Sequence, residues 1–118
     1  MQKRICDKIG LISCVKAKED SICEAKDMYT SPLFRYMYSY AKRRCRQVFI
    51  LSAKYGLLNE KTVIKPYNVT LNSMSEEQKQ RWSAKVMCQF KSRFNLDETH
   101  FLYLGGAKLY KISKDTAY

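Results

Sequence analysis

Three short stretches of the chain are almost continuously apolar, and longer polar or amphipathic segments separate them. The apolar stretches are KIGLISCV at residues 8–15, QVFILSA at 47–53 and THFLYLGG at 99–106. Short continuous apolar runs rich in β-branched and aromatic residues are typical of strands that are covered on both faces of a sheet. We therefore predict three central strands at these positions.

Residues 30–46 have the pattern of an amphipathic helix. Thr30 or Ser31 can cap its start, and Pro32 suits the first helical turn. The apolar residues that recur at helical spacing are Leu33, Met37, Ala41 and Cys45, with Phe34 and Tyr38 beside them.

Residues 73–94 predict a second helix. The segment opens with two overlapping capping boxes, Ser73 with Glu76 and Ser75 with Gln78. One stripe of the helix carries the large apolar residues Trp82, Val86, Phe90 and Phe94.

The order strand, helix, strand, helix, strand predicts parallel strands joined by right-handed crossovers, and hence a three-layer α/β domain with a small, mostly parallel sheet. Residues 16–29 are expected to form a long polar loop. Residues 59–72 are expected to form an edge strand or a crossing loop, because Pro66 is unsuited to a central strand. Gly56 is interpreted as a strand break, and residues 107–118 as a short helix or tail.

The length of 118 residues predicts a single domain over residues 1–118. With so few helices, one face of the sheet is expected to be thinly covered. Two explanations stay open: the chain forms a homodimer, or it is short of a helical extension at its C-terminus.

The charge distribution points to a polyanionic partner. The net charge is +11, and residues 28–59 contain no acidic residue. A basic face of this kind favours nucleic acid, DNA or RNA. No apolar run is long enough to cross a bilayer, so we expect a cytoplasmic protein with no membrane partner. The five scattered cysteines form no paired motif, so no metal or other cofactor is expected.

The carboxyl ends of the predicted strands are where an α/β sheet binds ligands. Lysines near a strand end suit a phosphate or carboxylate, and paired glycines allow a ligand to approach the backbone closely. The predicted edge therefore holds an anion site made of Ser13, Cys14, Lys16, Lys18, Ser52, Lys54, Tyr55, Gly56, Gly105 and Gly106.

Three residues are candidates for catalysis. Cys14, close to two lysines, is a candidate nucleophile or else a packing thiol. Lys54 is a candidate amine nucleophile, although a charge partner for an anion is the favoured role. Asp27, just before the predicted helix cap, is the carboxylate best placed to activate water.

The first predicted helix interleaves aromatic and basic residues, which suits stacking on bases and neutralising phosphates. We expect its tyrosines to belong to the core or the outer helix surface. Its basic residues are expected to contact a nucleic-acid backbone: Arg35, Lys42, Arg43, Arg44 and Arg46.

The ordered segments SCVKAK, MYTSPLFRY, ILSAKYGLL and PYNVTL resemble a family of small bacterial and phage proteins described as a domain of unknown function. The resemblance covers residues 9–71. More distantly, the chain is similar to the catalytic domain of archaeosine synthase, a tRNA base-modifying enzyme, and to the uracil-DNA-glycosylase fold. Beyond the strand-end residues, the resemblance implicates Tyr29, Thr30, Ser31, Phe34, Pro66 and Tyr67.

Three functional hypotheses follow. The first is an enzyme that excises or modifies an unusual nucleobase flipped into the strand-end site. Tyr55 or Tyr29 would stack on the base, Lys54 and Lys16 would hold phosphate, and Asp27 would position water. The alternative is a non-catalytic nucleic-acid-binding module in stress response or phage defence, and a third hypothesis is a small-nucleotide binder.

Overall fold

The computed structural model describes residues 8–13 and 19–105 of the chain. The helices and strands, in chain order, are β1 (Ile9–Ile12), β2 (Cys23–Glu24), α1 (Ala25–Met28), α2 (Pro32–Arg44), β3 (Gln47–Ser52), β4 (Gly56–Asn59), β5 (Val63–Ile64), a 3-10 turn (Leu71–Ser73), α3 (Glu76–Arg93) and β6 (Phe101–Leu104).

The four-stranded sheet has the order β4-β3-β1-β6. β1 lies in the centre and runs parallel to both neighbours, with Ile12 in register with Ile50 of β3 and Leu104 of β6. The predicted parallel arrangement of these three strands is therefore confirmed. β4 differs from the prediction, because Gly56 does not end the sheet but opens an antiparallel strand that returns along β3.

The two long helices cover opposite faces of the sheet. Alternate residues of β3 point to opposite sides, as in any strand. Val48 and Ile50 pack with the buried residues of α2, whereas Phe49 and Leu51 pack with Trp82 and others of α3. The result is the predicted three-layer α/β domain.

α2 begins as the sequence indicates, because the Ser31 side chain accepts a hydrogen bond from the Phe34 backbone N–H at 3.1 Å and Pro32 follows it. The buried face is the predicted one except at Leu33, since Met37, Ala41 and Cys45 are all buried. Phe34, Met37 and Ala41 face the sheet, whereas Leu33 is 53% exposed on the outer surface.

The segment predicted as a polar loop is partly structured. β2 pairs antiparallel with β5, placing Cys23 opposite Ile64. In the segment that follows β2, the residues Ala25, Met28 and Tyr29 are completely buried beneath this two-stranded ribbon. The sequence does not predict the burial of these apolar residues, because they are isolated among charges and follow no helical or strand period.

α3 forms one of its two predicted capping boxes. Ser75 accepts from the Gln78 backbone N–H while the Gln78 side chain accepts from the Ser75 N–H. Ser73 lies instead in the 3-10 turn, where its hydroxyl donates to the Thr70 carbonyl oxygen at 2.8 Å. Trp82 and Val86 are buried, and Phe90 and Phe94 pack against them, as predicted.

The helix or tail predicted at residues 107–118 lies outside the described residues. Among the residues that the structure describes, no helix is both long enough and apolar enough to span a bilayer.

Candidate functional site

The carboxyl ends of β1 and β6 meet at Ser13. Its backbone N–H donates to the Leu104 carbonyl oxygen at 3.0 Å, and its hydroxyl hydrogen-bonds to the Tyr103 hydroxyl at 3.0 Å. A Cβ atom placed on Gly105 would lie 1.7 Å from Ser13 Oγ. Gly105 therefore makes room for Ser13, and a residue with a Cβ atom would not fit at this position.

Ser52 is the central hydrogen-bonding residue at the end of β3. Its side chain is fully buried, yet all of its polar groups are satisfied. The hydroxyl oxygen accepts from the backbone N–H groups of Lys54 and Tyr55 at 3.1 and 3.0 Å and donates to the Tyr67 hydroxyl at 2.9 Å. Its carbonyl oxygen accepts from Trp82 Nε1 at 2.9 Å. Ser52 thus fixes the strand end instead of facing a ligand.

Tyr67 extends this network to Tyr29, with 2.7 Å between the two hydroxyl oxygens. Burial raises the pKa of Tyr29, and the neighbouring Tyr67 raises it further. Burial also raises the pKa of Tyr67, although hydrogen bonds from Ser52 and Tyr29 oppose part of that effect. The two phenols are therefore held neutral. Since the Tyr29 side chain is completely buried, it presents no free ring face, and base stacking is not a role that this arrangement supports.

Tyr55 ends the turn between β3 and β4, and Gly56 is the first residue of β4. The Tyr55 ring packs edge-on against Tyr67 with centroids 5.7 Å apart. Gly56 has a φ of +77°, and a Cβ there would lie 2.3 Å from Gln89 Oε1. The Gln89 amide clamps the turn, because Oε1 accepts from the Leu57 N–H at 2.8 Å and Nε2 donates to the Tyr55 carbonyl oxygen at 3.3 Å. The glycine thus has a structural role.

Two amines lie beside this turn. The Lys54 side chain is exposed, with Nζ 5.4 Å from the centroid of the Tyr55 ring. Lys85 Nζ, on α3, donates to the Lys54 carbonyl oxygen at 3.1 Å. Both cations are accessible to an anionic ligand at the carboxyl edge of the sheet.

A groove of about 620 Å³ opens next to this edge, on the α3 side of the sheet. We call it the strand-end groove, because Ala53, which directly follows β3, lines it together with Trp82. The lining residues are Ala53, Asn68, Val69, Ser73, Met74, Gln78, Arg81 and Trp82.

Sequence reasoning missed the strand-end groove almost entirely. Trp82 is predicted to belong to the core, which is correct for most of its surface, and the edge strand or crossing loop predicted at residues 59–72 does not by itself indicate a groove. The available hint is Pro66, which is unsuited to a central strand and so favours a crossing loop in this segment.

Two further predicted site residues, Asp27 and Thr30, lie apart from the groove. Asp27 is exposed on α1, where its carboxylate accepts a hydrogen bond from Lys26 Nζ at 3.0 Å. Thr30 is exposed between Tyr29 and the α2 cap. Neither belongs to the Ser52 network. Cys14, Lys16, Lys18 and Gly106 lie outside the described residues.

The basic residues predicted to contact a nucleic-acid backbone are spread over the length of α2. Arg35 lies in its first turn, and its Nη1 donates to the Lys26 carbonyl oxygen at 3.5 Å. Arg43 and Arg44 lie at the other end, about 20 Å from the carboxyl edge for a helix of 13 residues. The Arg46 backbone N–H bonds to the Lys8 carbonyl oxygen at the amino edge of the sheet.

Lys42 pairs with a residue that the sequence analysis did not single out. Glu60 is 8% exposed and accepts from Lys42 Nζ at 3.2 Å and from the Tyr38 hydroxyl. Burial, followed by the hydrogen bond to Glu60, raises the pKa of Tyr38. This cluster ties α2 to the end of β4, so Lys42 has a structural partner.

The fold and the site define an α/β protein whose mostly parallel sheet carries a ligand-sized groove at its carboxyl edge. Among the described residues, no group of three or more His, Cys, Asp or Glu residues is arranged to hold a metal ion. The chain belongs to a family of unknown function, DUF6884, whose family model matches residues 9–117. This confirms the expected uncharacterised family and extends it beyond residues 9–71.

Neither the curated proteins nor the solved structures that were compared contain a match to the chain. The similarities to archaeosine synthase and to the uracil-DNA-glycosylase fold therefore stay predictions from the sequence.

Proposed function

We propose that the protein binds nucleic acid at the carboxyl edge of its sheet and holds one unpaired nucleobase in the strand-end groove. The observation that carries this proposal is the lining of the groove. Trp82, Met74 and Val69 supply an apolar surface, while Asn68, Gln78 and Arg81 supply polar groups. Specific small-molecule sites combine these two features, and the volume of about 620 Å³ lies within their usual range.

The side chains of the groove match the chemistry of a nucleotide. Asn68 and Gln78 can each donate and accept hydrogen bonds, as the edge of a base requires. Arg81 and Lys85 are one helical turn apart on α3, and Lys85 reaches the turn after β3. These cations suit the phosphates on either side of a bound base. The acidic residues of α3 are confined to its first turn, where Glu76 pairs with Lys79.

The more specific form of the proposal is an enzyme that excises or modifies the captured base, as the sequence resemblance implies. Ser13, the residue before the candidate nucleophile Cys14, lies at the same edge as Ser52 and Lys54. In this form Lys54 holds phosphate or acts as an amine. The buried Ser52, Tyr67 and Tyr29 hydroxyls position the edge and take no part in chemistry. The alternative is a module that binds nucleic acid without changing it.

The single tryptophan of the chain tests the proposal directly, because Trp82 lines the strand-end groove. We expect a single-stranded oligonucleotide to quench Trp82 fluorescence at low salt. Arg81→Gln should weaken binding and reduce the dependence of log affinity on log salt by about one. The matched control is Lys61→Gln, which removes one charge from the exposed turn after β4.

Binding without any change in Trp82 fluorescence, together with normal binding by Arg81→Gln, would exclude the groove as the base site. Absence of binding at low salt would exclude both forms of the proposal. To separate enzyme from module, oligonucleotides carrying modified bases are incubated with the protein and weighed by mass spectrometry. A mass change or a released base that is lost in Lys54→Ala identifies the enzyme.

A further inference from the structure

The outer face of α2 carries aromatic and basic side chains with no role in the core. Tyr36 is 68% exposed, the highest value among the exposed large hydrophobic side chains of the described residues. Tyr40 lies four residues after Tyr36, and Arg43 and Arg44 lie three and four residues after Tyr40, so the four residues form one stripe along the helix, which we call the outer tyrosine stripe. The residues of α2 that are buried against the sheet are others, Phe34, Met37 and Ala41.

We propose that the outer tyrosine stripe is a second binding surface, which stacks unpaired bases of single-stranded nucleic acid on Tyr36 and holds their phosphates with Arg43 and Arg44. An exposed aromatic ring flanked by cations is the arrangement by which proteins bind single strands without reading their sequence. This proposal depends on α2 alone and does not require a base in the strand-end groove.

The arginines of the stripe are already held in place. The Arg44 guanidinium lies 4.5 Å from the centroid of the Tyr40 ring, and Arg43 Nη1 donates to Ser39 Oγ at 3.1 Å. These contacts reduce the conformational entropy that ordering a long side chain on a ligand would cost. Tyr36 itself keeps an open ring face.

Charge selects a polyanion as the occupant. α2 contains no acidic residue, and the chain contains none from residue 28 to 59. Glu60 contacts Tyr38 and Lys42 on a different side of α2, and its carboxylate forms an ion pair with Lys42 there. The other conceivable occupants of the exposed Tyr36 ring are an acidic protein segment and a second copy of the chain. The experiment below distinguishes both from single-stranded nucleic acid.

The test measures the affinity of the full chain for a labelled single-stranded oligonucleotide by fluorescence anisotropy. We expect Tyr36→Ala to raise the dissociation constant about tenfold, whereas Tyr36→Phe, which keeps the ring, stays close to wild type. Arg43→Gln should reduce the salt dependence by about one phosphate contact. The charge-matched control is Lys91→Gln, which is exposed on α3 at the other face of the sheet.

The groove and the stripe are distinguished by Trp82. Loss of affinity in Tyr36→Ala, with unchanged Trp82 quenching at saturating oligonucleotide, supports two separate surfaces. Wild-type affinity of Tyr36→Ala, or equal losses in Tyr36→Ala and Tyr36→Phe, would overturn the stacking proposal. The stacking proposal would also be overturned if an acidic peptide competed as effectively as an oligonucleotide. A dimer that sedimentation detects and that Tyr36→Ala dissociates would overturn it as well.

Discussion

At the scale of single residues, Ser52 shows how far a sequence can mislead about a polar group at a strand end. A serine after a continuous apolar run is a reasonable candidate for ligand binding, because such ends leave the core. Here the turn that follows β3 supplies two local partners, and Tyr67 and Trp82 supply two from distant segments. No local pattern encodes the two distant partners, so the full role of Ser52 was not predictable from its neighbours.

The Ser52 network predicts a non-additive pair of variants. Ser52→Ala and Tyr67→Phe should each lower the free energy of unfolding by about 1–3 kcal/mol, since each leaves a buried partner unsatisfied. The double variant should lose less than the sum, because both changes break the same 2.9 Å bond. Denaturant unfolding measures all three.

Ser39→Ala is the matched control for this network, because Ser39 is exposed and its substitution should change stability by no more than about 0.5 kcal/mol. Strictly additive losses in Ser52→Ala and Tyr67→Phe would show that the two hydroxyls stabilise the protein independently.

At the scale of elements, sequence patterns predict the helices and strands that have local signals and do not predict the short strands that form only by pairing with a distant segment. α2 and α3 begin at the predicted caps, Ser31 and Ser75, because capping depends on residues within one turn. β2 and β5 have two residues each and exist only through each other. The sequence does not predict β4, because a glycine after a strand indicates the end of that strand. In the structure, the positive φ of Gly56 allows the tight turn that brings β4 back alongside β3.

The turn before β4 gives a prediction that couples Gly56 to α3. Gly56→Ala should cost more than about 2 kcal/mol, because it combines a left-handed backbone with a clash against Gln89. In a Gln89→Ala background the clash disappears, so the same substitution should cost only about 1–2 kcal/mol, the strain of the backbone alone. Thermal or denaturant unfolding of the four proteins measures both increments, and equal increments would contradict a role for Gln89.

At the scale of the whole molecule, the predicted parallel sheet places the ends of β1, β3 and β6 together, but the predicted site only partly assembles. Ser13, Ser52, Lys54 and Gly105 share the carboxyl edge. Asp27 lies apart on α1, and Arg43 lies at the far end of α2, because helix length and direction separate residues that composition groups together. The strand-end groove was not predictable from the sequence, since its lining comes from three separate parts of the chain, Ala53, residues 68–74 and α3.

The buried tyrosines predict how stability of the whole molecule depends on alkaline pH. The pKa values of Tyr29, Tyr67 and Tyr38 are raised in the folded state, each chiefly by burial. As pH rises above 10.0, their ordinary value, the unfolded chain loses these protons first and is favoured. The stabilisation is therefore complete below that pH and is lost above it.

We expect Tyr29→Phe, although less stable at neutral pH, to lose stability above about pH 10 less steeply than wild type, by up to about 1.4 kcal/mol per pH unit. Tyr36→Phe is the control, because that side chain is exposed. Denaturant unfolding from about pH 8 to pH 11 gives the slopes. If Tyr29→Phe kept the wild-type slope, the Tyr29 phenol would have to ionise inside the folded core, and the buried hydroxyl network would not be the neutral support of the carboxyl edge described above.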